Sequence, residues 1–135
     1  MTRKNRWTVF VLAAAAALLL LCGCTMEAST FEVVSSFDES LDSGIHNYSY
    51  VVYTNSRSET EMVEYGQSLV GEEPGLVVVH FYDDRDLAPD VSAVDPTFAY
   101  GLDAYRDGRV MVYQRTADGE EFKWDGEMLQ SESLS

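Results

Sequence analysis

The sequence predicts an α+β domain: a small two-layer unit in which a four- or five-stranded, mostly antiparallel sheet packs on one helix. Three observations carry that expectation. Two runs rich in β-branched and aromatic residues, "NYSYVVYTN" (47–55) and "LVVVHFY" (76–82), flank one amphipathic helical pattern. Asp-Gly recurs at 107–108, 118–119 and 125–126 between apolar runs, a hairpin signature because type I′ turns need φ > 0 at both central residues. At 135 residues the chain has room for one domain, expected over 31–127.

The elements follow in order. "FEVVSSF" (31–37) reads as a first strand or a docked linker. In 47–55, Tyr48, Tyr50 and Val52 share one face and Val51 and Tyr53 the other. Apolar side chains on both faces mark an interior strand. "SETEMVEYGQSLVG" (58–71) gives a helix over 59–70. Ser58 and Glu61 stand at capping-box spacing, and Glu59, Glu61 and Glu64 suit the positive end of the helix dipole. Met62, Tyr65, Leu69 and Val70 form the buried stripe, and Gly71 is the expected stop. Strand 76–82 has no polar face, so strand–helix–strand suggests a βαβ unit, or a split one with a further strand inserted. A meander of strands 98–106, 109–116 and 121–125 follows, then a polar tail over 128–135.

Charge excludes one class of function. Three of the nine basic residues (Arg3, Lys4, Arg6) and none of the 23 acidic ones precede Cys24, so the chain from Cys24 onward carries a net −17. Such a body repels nucleic-acid phosphates and anionic lipid headgroups.

The candidates for chemistry are few. No G-x-S-x-G elbow or S-x-x-K is present. His80 lies among apolar strand residues and reads as a hydrogen-bonded sheet histidine; His46, in a Gly-bounded turn, reads as a surface residue. "DDRDLAPD" places Asp83, Asp84, Asp86 and Asp90 at the carboxyl end of an apolar strand, where ligand sites are common and oxygen ligands suit a hard cation. The glycine and glutamate of an EF-hand loop are missing, Arg85 offsets part of the charge, and a solvated acidic loop is the simpler reading. The aromatics Tyr48, Tyr50, Tyr53, Phe98, Tyr100, Tyr105, Tyr113, Phe122 and Trp124 fall mostly in expected strands. An aromatic sheet face rimmed by carboxylates suits a cationic or peptide partner.

The N-terminus reads as a targeting signal. Arg3, Lys4 and Arg6 precede an unbroken apolar run from Val9 to Leu21, which as a helix of about 20 Å falls short of the ~30 Å bilayer core. Cys22 and Cys24 follow; their C-x-C spacing fits neither a C-x-x-C redox motif nor, without further ligands, a structural zinc site. "Leu21-Cys22-Gly23-Cys24" resembles the lipobox of bacterial lipoproteins, with Cys at a place more often Ala or Ser. Cys22 fits poorly as the modified residue, because Leu21 would then stand where a small side chain is required. The resemblance implies cleavage between Gly23 and Cys24, removal of 1–23, a diacylglyceryl thioether on Cys24 and N-acylation of its amine. Residues 24–30 would then be a tether. The implied partners are the lipoprotein-processing enzymes and the membrane, and the implied location is the extracytoplasmic face, the outer membrane in a Gram-negative host. Two or three acyl chains give stable anchoring.

The combined expectation is a lipid-anchored envelope protein that acts as a binding module rather than an enzyme, with no cofactor and an envelope protein or peptide as partner. The alternative is a small hydrolase or cation-dependent protein using loop 83–90.

Overall fold

The structure, a computed structural model, describes residues 28–41, 43–92, 106–127 and 130–134. Six strands form one sheet: β1 (Phe31–Ser40), β2 (His46–Thr54), β3 (Val77–Tyr82), β4 (Arg109–Arg115), β5 (Glu121–Asp125) and β6 (Ser131–Ser133). Their spatial order is their sequence order. Every neighbouring pair is antiparallel except β2 and β3, which run parallel with the helix α1 (Glu59–Leu69) between them in sequence. The fold is therefore α+β, with six strands rather than four or five. β2 and β3 are adjacent, so no strand is inserted into the βαβ unit. The expected strand 98–106 lies outside the described residues apart from Arg106. The expected polar tail supplies β6, and Leu134 beyond it packs against the core.

α1 starts where its cap places it: the Ser58 side chain accepts from the Glu61 N–H at 3.3 Å. The reciprocal half of the box is rerouted through Ser56, whose Oγ donates to Glu61 Oε2 at 2.5 Å and accepts from the Ser58 N–H at 3.1 Å. Hydrogen bonds from the Ser29 and Ser56 hydroxyls hold the Glu61 carboxyl below its ordinary pKa. The helix ends at Leu69, with Val70 extended as its C-cap, so no left-handed residue at Gly71 is needed. Met62 and Gly66 are its buried residues, with Val63, Tyr65, Leu69 and Val70 half-buried against the core. A Cβ on Gly66 would lie 2.7 Å from Tyr113 Cδ1, so the missing side chain lets α1 rest on β4.

The core beneath the helix joins Val52, Met62, Val77, Val79, Phe81, Met111 and Tyr113. Phe31 of β1 stacks on Tyr65 of α1 at 4.6 Å between centroids and meets Phe81 edge-on at 6.3 Å. Polar ties close the rim: Tyr113 Oη donates to Glu121 Oε1 at 2.6 Å, and Lys123 Nζ reaches Glu59 and Glu132 at 2.8 and 3.1 Å. A tight turn joins β4 to β5, but not with Asp118-Gly119 as its central pair: the Gly119 N–H donates to the Thr116 carbonyl at 2.9 Å, so Ala117 and Asp118 are central and Gly119 follows at φ +87°. Gly126 serves space instead: a Cβ there would meet the Arg109 carbonyl oxygen at 1.9 Å.

Candidate functional site

The acidic loop folds back over the sheet face opposite the helix. After β3 a single 3₁₀ turn, Arg85–Leu87, is capped by Asp84, whose carboxylate accepts from the Asp86 N–H at 2.9 Å. Val91 ends fully buried with Val51 and Tyr82, and Phe37 and Ala88 pack beside them. Ser35 of β1 fastens this return, donating to the Pro89 carbonyl at 3.0 Å and accepting from the Val91 N–H at 3.1 Å. Arg85 forks onto Glu32 with contacts of 2.9 and 2.7 Å and lies 4.6 Å over the Tyr53 ring.

The four aspartates do not converge. Asp84 is a cap, and Asp90 accepts from both the N–H and the hydroxyl of Ser92, which lowers its pKa. Asp83 and Asp86 are exposed. Among the described residues, no group of three or more His, Cys, Asp or Glu side chains could hold a metal ion. Asp83 instead joins Ser56, Arg57, Glu59, Met62 and Val110 around an open cleft of about 290 Å³. That cleft lies at the carboxyl ends of the two parallel strands, beside the start of α1, where βαβ folds place ligands. Its charges are mixed and its one buried polar residue, Ser56, is spent on the helix cap.

The two histidines lie apart. His80 is fully buried, and its Nδ1 lies 3.0 Å from Arg109 Nη1, while Arg109 Nε donates to the Gly126 carbonyl at 2.9 Å. Burial and then the guanidinium push the His80 pKa down to about 3, so the ring is neutral and accepts at Nδ1. This agrees with a hydrogen-bonded sheet histidine. His46 stands at the opposite end of the strands, 3.3 Å from both Asp38 and Glu73. It stacks on Tyr48 at 4.4 Å, and Tyr48 stacks on Tyr50 at 5.9 Å. Gly75 makes this junction possible, since a Cβ there would lie 1.9 Å from the His46 carbonyl oxygen. The ladder is half-buried, with Tyr48 and Tyr50 packed against the core cluster that also holds Met62. Tyr113 is buried, and Phe98, Tyr100 and Tyr105 lie outside the described residues.

Among the described residues, no strand pairs with the outer edge of β1. Among the described residues β1 is an edge strand of ten residues, about 33 Å long. Val33 and Val34 are exposed, and Glu32, Asp38 and Glu39 are its only charges. A bulge at Val34 interrupts its pairing with β2, after which Ser35 to Ser40 run in unbroken register against Val51 to His46.

Cys24 and the Gly23–Cys24 bond lie outside the described residues. The chain beyond them is fastened as soon as it is described. The Thr30 N–H donates to Asn55 Oδ1 and the Thr30 carbonyl accepts from Thr54 Oγ1, both at 2.8 Å. No helix among the described residues is long and apolar enough to cross a membrane. Compared with known proteins, the chain matches no family model, no curated protein and no solved structure. What the domain does is therefore carried by its own geometry and by its N-terminal motif.

Proposed function

We propose that this chain is a lipoprotein of the bacterial type, cut between Gly23 and Cys24 and held by lipid on Cys24. It displays its α+β domain outside the cytoplasm as a binding module. The observation that carries the reading is the order basic segment, short apolar run, Leu21-Cys22-Gly23-Cys24. Each position has a chemical reason: a thiol to form the thioether, and a minimal side chain at Gly23 so that the scissile bond enters the peptidase.

The way the body begins supports it. Ser29 and Thr30 are already bonded to the helix cap and to the end of β2, five residues after Cys24. A chain of that length reaches at most ~18 Å. The anchor would therefore hold the end of the sheet bearing Asn55, Ser56 and Asp83 close to the lipid. The end bearing His46, Glu73 and the β4–β5 turn would point away. A body at −17 leans off an anionic surface, and the acyl chains supply the attachment that charge cannot.

Binding rather than catalysis is favoured because the polar side chains that converge are committed to structure: His80 to Arg109, Ser56 to the helix cap, Asp84 to the 3₁₀ turn. Mass spectrometry of the mature N-terminus tests the anchor. A diacylglyceryl-modified Cys24 as first residue is expected; an intact Met1, or a Cys24 free of lipid, overturns the reading. Replacing Asp83, Asp84 and Asp86 together with Asn tests the site. Partner capture should persist in that folded variant, and its loss would return the function to the acidic loop.

A further inference from the structure

We infer that β1 is a docking edge for an extended, basic segment of a partner protein, which adds to the sheet as a seventh strand. The inference deepens the binding-module reading and rests on it, by naming the surface and the chemistry of the partner.

An edge strand presents alternate N–H and C=O groups outward, and proteins normally guard such edges with charged side chains (lysine above all), proline, bulges or shortness. The far edge, β6, is guarded by shortness: it is three residues long. β1 is ten residues long and contains neither lysine nor proline. Its single irregularity, at Val34, lies near its start and leaves the six residues Ser35–Ser40 straight and regularly paired on the inner side. A strand so supported is a stiff template, and main-chain bonds to an incoming chain need no rearrangement.

Charge selects among occupants. β1 contains no basic residue, and with Glu32 held by Arg85 its remaining carboxylates are Asp38 and Glu39, which parallel pairing with a second copy would set against their own counterparts. The net −17 of the mature chain adds long-range repulsion between copies. The same charges attract a segment rich in lysine or arginine. The alternation of the strand sends Asp38 to the helix side and Glu39 to the other, as their partners Tyr48 and Asn47 show, so a basic strand is met on both faces. Exposed Val33 and Val34 offer apolar contact at the other end of the same edge.

The probe is a blocked peptide of about nine residues with adjacent pairs of lysines separated by pairs of threonines, so that both faces carry charge, matched to the length of β1. It is added to the full chain in zwitterionic detergent, and hydrogen exchange is read by mass spectrometry. Exchange in 31–40 is expected to slow about tenfold, with 131–133 unchanged, and binding to weaken about tenfold between ~0.05 and ~0.5 M salt. Asp38→Asn with Glu39→Gln should weaken it by about tenfold with the melting temperature kept. The inference is overturned by unchanged exchange in 31–40, or by equal binding of the same peptide with glutamate for lysine. Protection spread over the 70–76 and 116–120 turns also overturns it, since that marks diffuse charge attraction. Protection of 31–40 that rises with protein concentration alone makes a second copy the occupant and overturns it as well. The same digest reports the mass of the N-terminal peptide, so a failed anchor and a failed edge are read separately.

Discussion

The two faces of the sheet are covered by different means. Under α1 the contact is apolar and close: Met62 enters the core, Gly66 lies directly on the Tyr113 ring, and Phe31, Tyr65 and Phe81 interlock. On the other face the described cover is a loop rich in aspartate, whose apolar contribution is Val91 with Ala88 beside it. There the sheet buries polar groups, His80, Arg109 and Ser49, and the cover is pinned by Ser35 and by the Arg85–Glu32 fork. A helix buries a stripe every turn and needs few directed bonds; an irregular loop must satisfy its backbone group by group. One face should thus fail through volume, the other through lost partners or changed protonation.

The largest effect is expected at Arg109→Ala. Its removal leaves His80 Nδ1 and the Gly126 carbonyl without their donor in a buried site, which costs about 2–5 kcal/mol. Urea unfolding reads this as a lowered midpoint at unchanged slope. The helix face answers with Gly66→Val. A side chain driven into the base of a fully buried tyrosine ring costs about 2–3 kcal/mol by overpacking, against little change in helix propensity. If Gly66→Val proved neutral, the close seat of α1 on β4 would be wrong and the contrast between the faces would disappear.

Acid distinguishes the faces as well. His80 has a folded pKa of about 3, below the ordinary value of 6.5, so the unfolded chain binds the extra proton between those limits. Stability on this account is full above pH 6.5 and falls as pH drops towards 3, by up to about 1.4 kcal/mol per pH unit from this one group. His80→Gln should flatten that dependence whatever its own cost, and an unchanged slope would show that the ring does not carry it.

What the sequence disclosed divides in the same way. The helix side was legible because its signals are local: Ser58 before "ETEMVEY", apolar β2 and β3, and Asp-Gly at the β4–β5 turn. Gly66 was not, because its place is set by Tyr113, 47 residues on, and a helical glycine looks the same whether or not something rests on it. The other face was hardly legible. Ser35 meets Pro89 and Val91 across 54 and 56 residues, and Asp83–Asp90 suggests ligands unless Val91 is known to be buried. β6, Ser131–Ser133, has no apolar pattern and is recruited by the free edge of β5. Among the candidate residues, His80 was read for what it is, whereas the seat of His46 between Asp38 and Glu73 depends on two turns meeting.

Ser35→Ala should free the loop without unfolding the sheet. It removes a donor to Pro89 and an acceptor for Val91, at about 1–2 kcal/mol. Amide exchange should quicken in 88–92 while 59–69 stays protected; equal loosening of both would mean that the faces are not independent.

The smallest effect belongs to the most conspicuous contact. Arg85 and Glu32 form two short bonds, yet their side chains are 57% and 52% exposed, so water and salt screen the pair. Arg85→Gln is expected to cost no more than about 1 kcal/mol, and the loss should shrink further in ~1 M salt. The stacking of Arg85 over Tyr53 adds a part that salt does not screen in the same way, and Arg85→Lys, which keeps the charge and loses the fork, separates the two. If Arg85→Lys costs as much as Arg85→Gln, geometry holds the loop at this point; if it costs nothing, charge alone does. A loss well above 1 kcal/mol in either variant would mean that the loop is held at its rim rather than by the Ser35 clip and buried Val91, and the order of effects on this face would be reversed.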